Sequence, residues 1–189
     1  MSQVTEELLL ELTDCEQLDD IKVISLRNRQ IRQCMKMLSK CPNLTIIYLQ
    51  NNQLLVKDLT YLHLFQNLKK IDLSDNQLDG LPQAQVFAGL VNLQFLYLHN
   101  NNISQWKDLM QLVTLPVIMQ ITLFNNPVCQ IPGYRHTLVN SITCLKALDN
   151  YIITDEERIE DASFGYRFRG LNEFMKLHIP DYTNERAAE

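Results

Sequence analysis

Glycine and proline are scarce in these 189 residues, five and six of them, and tryptophan occurs once. With so little glycine there is no loop of the kind that cradles phosphate groups, which excludes nucleotide chemistry of that type. Nowhere do about eighteen consecutive apolar residues occur, so no helical membrane span is expected. The short run Leu8, Leu9, Leu10 has acidic flanks and is too brief for a secretory signal core. Cysteine is present five times (Cys15, Cys34, Cys41, Cys129, Cys144), an odd number without a CxxC pair. No histidine lies near Cys34 or Cys41 in sequence, so the expectation is reduced thiols in a cytoplasmic protein, with no metal and no other cofactor. Basic charge is also short: 17 Lys and Arg stand against 22 Asp and Glu, a net charge of −5. Proteins that track a phosphate backbone carry the opposite balance, and no nucleic-acid partner is expected.

Leucine is abundant instead, 31 of 189 residues. Five segments repeat one pattern, LxxLxLxxNxL, beginning at Ile21, Leu44, Leu68, Leu93 and Ile118, in steps of 23, 24, 25 and 25 residues. The asparagine column is Asn52, Asn76, Asn101 and Asn126, with Arg29 at the equivalent place in the first unit. Self-similarity at this period is the signature of a leucine-rich repeat. In each unit the LxL alternation makes a short strand with both apolar side chains turned inward. Strands of successive units pair in parallel, because one unit alone cannot bury its apolar edge. The asparagine follows the strand where the chain turns, and its amide can satisfy backbone groups left unpaired there. Between strands, Leu59, Leu62 and Phe65 and later Leu109, Leu112 and Leu115 fall at helical spacing, which predicts short helices or 3₁₀ turns on the convex side. The fold class is therefore α/β: a solenoid, or horseshoe, with a parallel sheet on its concave face.

Both ends need different chemistry, since an uncapped array would expose its core. Thr5-Glu6-Glu7 followed by Leu8, Leu9 and Leu12 reads as an N-terminal capping helix. After the fifth unit a helix runs from Tyr134 to Ile142, and Leu145 and Leu148 anchor a partial sixth unit. Thr154 and Glu157 form the two ends of a capping box that opens a further helix. The run YRHTLVNSITCLKALDNYIITDEER resembles the LRRcap motif, which closes short intracellular leucine-rich-repeat proteins. Tyr134, Arg135, Leu145, Lys146, Leu148, Asp149, Ile153, Thr154, Glu156, Glu157 and Arg158 carry the match. Within that family it is most similar to the group that also bears IQ domains, although no Ile-Gln dipeptide occurs here and no calmodulin-binding extension is expected. The expected organisation is a capping helix in 1–20, five repeats in 21–131, the cap with its partial sixth repeat in 132–160, and a helical tail in 161–189.

The x positions of the strands face the concave side. They place Tyr48, Lys70, Asp72, Phe95, Tyr97, His99 and Phe124 on one sheet face, the candidate partner-binding residues. Aromatics on a rigid face are favoured interface anchors, though they could equally pack on one another or lie beneath the tail. In that tail Phe164, Phe168, Leu171 and Met175 form one helical stripe. His99, Asp72 and Ser74 stand close in register, but no complete nucleophilic constellation forms, and no enzyme is expected. The resemblance implies a noncatalytic scaffold that binds protein, a monomer within a larger complex. It suggests a structural or assembly subunit of the ciliary axoneme, since axonemal subunits belong to the same family. Alternatives implied by the same family are a regulatory subunit of a protein phosphatase and a ribonucleoprotein adaptor.

Overall fold

The computed structural model describes residues 4–158. Two units meet at Ile153 and Thr154. Among the described residues every strand lies in the first; of the second, the described residues are 154–158.

Five three-residue strands repeat through the first unit: β1 (Val23–Ser25), β2 (Ile46–Tyr48), β3 (Lys70–Asp72), β4 (Phe95–Tyr97) and β5 (Gln120–Thr122). Each pairs with the next in parallel at a constant register, Ser25↔Tyr48, Tyr48↔Asp72, Asp72↔Tyr97 and Tyr97↔Thr122. The register is fixed because Ile24, Ile47, Ile71, Leu96 and Ile121 are all fully buried, and a slip by one residue would turn that column into solvent. A second buried column, Leu26, Leu49, Leu73, Leu98 and Leu123, continues the same inward row. Full burial of one such side chain is worth about 1.5–3 kcal/mol, so the repetition itself drives the stacking.

The return segments are α2 (Met35–Leu38), a 3₁₀ stretch Val56–Leu64, α3 (Ala84–Ala88), and α4 (Trp106–Gln111) running into 3₁₀ residues Leu112–Thr114. Leu59, Leu62, Phe65, Leu109, Leu112 and Leu115 are buried, as their spacing requires. Gly89 lies close against the backbone of the preceding return segment. A Cβ there would stand 2.8 Å from the His63 carbonyl oxygen and 2.9 Å from its Cα.

At the N-terminal end α1 (Glu6–Thr13) is capped by Thr5, whose hydroxyl accepts the Leu8 N–H at 3.3 Å. Leu9 of this helix is fully buried. At the other end α5 (Tyr134–Ser141) leads into β6 (Ala147–Leu148), which pairs in parallel with β5 and is the partial sixth unit. The chain then reverses. Asp149 and Asn150 both adopt positive φ, 53° and 67°, and β7 (Tyr151–Ile152) returns antiparallel to β6. Two consecutive left-handed residues are the geometry of a tight hairpin turn, and Asp and Asn tolerate it better than other side chains. The repeat pattern did not announce this hairpin. Within the second unit, the Glu157 N–H donates to the Thr154 hydroxyl at 3.2 Å, the N-cap half of the box. The tail residues Phe164, Phe168, Leu171 and Met175 lie outside the described residues.

Candidate binding face and the ladders that hold it

Three side-chain ladders tie one repeat to the next. The first is the asparagine column. The Asn101 amide donates to Leu98 and His99 carbonyls in its own repeat and, at 3.0 Å, to the Leu73 carbonyl of the preceding one; its Oδ1 accepts the Leu78 N–H at 3.0 Å. Asn76 does the same towards Leu49 and Leu54, and Asn126 towards Leu98 and Ile103. Asn52 donates to the Leu26 carbonyl and accepts N–H groups from Arg29 and Ile31. Each amide thus uses both its donor and acceptor ends across the repeat boundary, which no smaller side chain can do. Arg29 departs from the column in the repeat of β1, the first strand among the described residues.

A second column precedes the strands. Asn43, Asn67 and Asn92 donate to the carbonyls of Asp19, Pro42 and Gln66, each in the turn one repeat back. The third was not read from the sequence. Asn28, Asn51, Asp75, Asn100 and Asn125 all have φ between 54° and 57°. Asn51, Asn100 and Asn125 donate to Asn28, Asp75 and Asn100 in turn. The signal available for it is an Asn or Asp one residue before each ladder asparagine, a position where the left-handed conformation costs least.

Two buried carboxylates were also missed. Asp58 accepts the backbone N–H of Cys34 at 3.0 Å and of Met35 at 3.4 Å, at the start of α2 in the preceding repeat. Asp108 occupies the corresponding place two repeats later and accepts from the Leu81 N–H. Burial pushes both carboxyl groups above the ordinary aspartate range, and the backbone donors only partly offset it. The Cys34 thiol is driven up strongly, first by burial and then by the Asp58 charge beside it. All five cysteines are free thiols.

Asp149 closes the array. Its Oδ1 accepts the N–H groups of Leu123 and Phe124 at 2.6 and 2.9 Å, and its Oδ2 accepts the Tyr134 hydroxyl at 2.8 Å. Burial raises the Tyr134 phenol far above its usual range, so it remains a donor to that carboxylate. Arg135 adds a bond to the Leu148 carbonyl at 3.0 Å.

Against this scaffold the open face of the sheet is a row of rings and cations. The Arg27 guanidinium lies 4.2 Å from the centre of the Tyr48 ring. The Lys70 ammonium sits between two rings, 5.1 Å from Tyr48 and 5.0 Å from Tyr97. His99 stacks on Phe124 with centroids 4.4 Å apart and an interplanar angle of 16°, and meets Tyr97 edge-on at 6.5 Å. Tyr48, Lys70, Phe95, Tyr97, His99 and Phe124 are all half-buried on the outer side of the strands. Cross-strand contact and solvent access therefore coexist here.

Asp72 departs from the expectation for this face. It is buried at 8% exposure, in register between Tyr48 and Tyr97 on the adjacent strands. Its carboxylate accepts the Ser74 hydroxyl at 2.7 Å and N–H at 3.1 Å, and it also takes the Gln50 amide. Asp72 organises the face from beneath and is not an exposed contact. His99 turns the other way, with Nδ1 at 2.8 Å from the Thr122 hydroxyl. Ser74, Asp72 and His99 thus belong to two separate networks.

Among the described residues no helix is long and apolar enough to cross a membrane. Residues 42–103 match the leucine rich repeat family model. The chain is 39% identical over 138 residues to human leucine-rich repeat and IQ domain-containing protein 3, covering 73% of this chain and 22% of that protein. It is 40% identical over 145 residues to the mouse protein of the same name, covering 77% of this chain and 23% of that one. The chain thus spans less than a quarter of the length of these relatives. Among solved structures, the Drosophila melanogaster SNF/U2A′ complex contains a similar chain, with a TM-score of 0.74, 25% identity, and coverage of 93% of this chain and 97% of that one. The chain is a leucine-rich-repeat solenoid related in sequence to leucine-rich repeat and IQ domain-containing protein 3.

Proposed function

We propose that this chain is a noncatalytic scaffold that seats a protein partner on the open face of its sheet, as a structural or assembly subunit of the ciliary axoneme. The observation that carries the binding reading is the row of half-exposed rings from Tyr48 to Phe124, held on strands whose turns are tied by the asparagine ladder. A rigid aromatic surface gains affinity because little conformational freedom is lost when a partner lands on it. The axonemal placement, in the cytoplasm of a cilium or flagellum, rests on family resemblance, and the chain would act there as a monomer within a larger complex. A fold match is an analogy for function and not a mechanism.

The binding reading is tested by affinity capture from ciliated cells with wild type and the double variant Tyr97→Ala, Phe124→Ala. Loss of the captured protein at an unchanged unfolding midpoint supports the face; unchanged capture removes it. Cofractionation with detergent-extracted doublet microtubules supports the axonemal placement, and recovery only in the soluble fraction counts against it. A second reading, a ribonucleoprotein adaptor, is favoured by the likeness to the chain in the SNF/U2A′ complex. In that case the captured particle would be lost on ribonuclease treatment.

A further inference from the structure

The open face is charged unlike the rest of the molecule. The chain as a whole carries −5, yet β1 to β5 and the open-face position two residues after each strand hold two cations, Arg27 and Lys70, and one carboxylate, Asp72, which is buried and occupied by Ser74 and Gln50. Both cations rest on the same Tyr48 ring. The ring faces stabilise them without neutralising their charge. Arg27 donates from Nε to Gln50, which leaves the outer edge of the guanidinium for another acceptor.

We infer that, given the binding reading above, the partner segment is acidic at one end and apolar at the other. Its carboxylates lie over Arg27 and Lys70, and its apolar anchors lie over Phe95, Tyr97 and the His99–Phe124 stack. Arg27 follows β1 and Lys70 begins β3, but both charged groups close on the Tyr48 ring, 4.2 and 5.1 Å from its centre, so no more than about 9 Å separates them. A segment with two carboxylates no farther apart than that satisfies both cations at once. Basic segments are rejected, because a lysine set over Arg27 or Lys70 meets like charge where water has been displaced. Single-stranded nucleic acid could also use rings and cations, but two cations supply few of the phosphate contacts that such binding needs.

The test uses the full chain with three probes: a short peptide carrying two glutamates within that distance beside leucine and phenylalanine anchors, the same peptide with lysines in place of the glutamates, and an oligouridylate. Binding is followed by fluorescence anisotropy and by amide chemical shifts. The glutamate peptide should bind at least about tenfold more tightly than the lysine peptide, a difference of about 1.4 kcal/mol. Its binding should weaken with added salt and shift amides along β1 to β5. Lys70→Glu should erase or invert the preference, and Lys70→Gln should reduce it at an unchanged unfolding midpoint. Equal binding of both peptides, absence of binding, tighter binding of the oligouridylate, or shifts confined to the return segments would each overturn the inference.

The two readings fail differently. If the Tyr97, Phe124 double variant loses the cellular partner while Lys70→Glu retains it, the face stands and the acidic assignment falls. If neither variant loses the partner, the binding face itself is wrong.

Discussion

The Asp58 carboxylate, in the second repeat, accepts the backbone N–H of Cys34 in the first at 3.0 Å and so caps α2 from outside its own repeat. A helix start leaves N–H groups without partners, and Cys34 itself supplies no side-chain cap. The neighbouring repeat therefore completes the helix, which makes local structure conditional on stacking.

Removing that acceptor should cost stability. Asp58→Ala is expected to lower the unfolding free energy by about 1–2 kcal/mol, the usual worth of an N-cap. Asp58→Asn keeps an acceptor and discards the charge. Because burial raises the Asp58 carboxyl in the folded state, the native protein holds its proton more tightly than the unfolded chain. Stability contributed by that proton is present below the ordinary aspartate pKa and is lost as pH rises through the folded value. Asp58→Asn should therefore gain on wild type as pH rises from about 3.5 to 7. Urea unfolding of both proteins across that range checks it, and a constant difference would contradict the assignment.

Asn101→Ala breaks three donated bonds and one accepted bond, of which the donation to Leu73 and the bond accepted from Leu78 join the third and fourth repeats. The Leu78 N–H loses its acceptor, while the Leu73, Leu98 and His99 carbonyls keep Asn76, Asn126 and the Asp75 N–H as donors; the loss should cost on the order of 1–3 kcal/mol in urea unfolding. Arg29→Ala in the first repeat should change stability by less than about 0.5 kcal/mol, because it occupies the column without the ladder.

Gly89→Ala is expected to destabilise by about 1–3 kcal/mol, since the added methyl meets the His63 backbone, which cannot swing aside like a side chain. A midpoint equal to wild type in thermal unfolding would show that the two return segments can separate.

The C-terminal closure can be probed through one hydroxyl. Tyr134→Phe removes the bond to Asp149 at 2.8 Å but leaves the two backbone N–H bonds to the same carboxylate. It should cost about 1–2 kcal/mol. Hydrogen exchange should quicken first at β6 and β7, and Asp149→Ala should have the larger effect. Uniform quickening along the whole sheet would mean that the closure does not act locally.

Much of this architecture was legible because it depends on chemistry repeated at one period. Ile47 and Leu49 point inward in the second repeat for the same reason that Ile71 and Leu73 do in the third, and asparagine is the side chain that bridges two turns with one amide. Arg29 broke the pattern in the repeat of β1, the first strand among the described residues. The face residues Tyr48, Phe95, Tyr97 and Phe124 could also be placed, since strand alternation fixes which way each points.

Asp58 and Asp108 escaped because a lone carboxylate in a return segment looks solvated until the neighbouring repeat lays bare N–H groups against it. Asp72 escaped for the same reason in reverse. Alternation puts it on the open face, and its burial and its bond to Gln50 of the adjacent repeat are decided only in the folded sheet. Sequence alone determined the repeat, the register of β1 to β5 and the direction of their side chains, because these follow from periodicity within one unit. Tertiary structure alone decided which charges are buried and how the start of α2 is capped, because each depends on atoms contributed by a neighbouring strand or repeat.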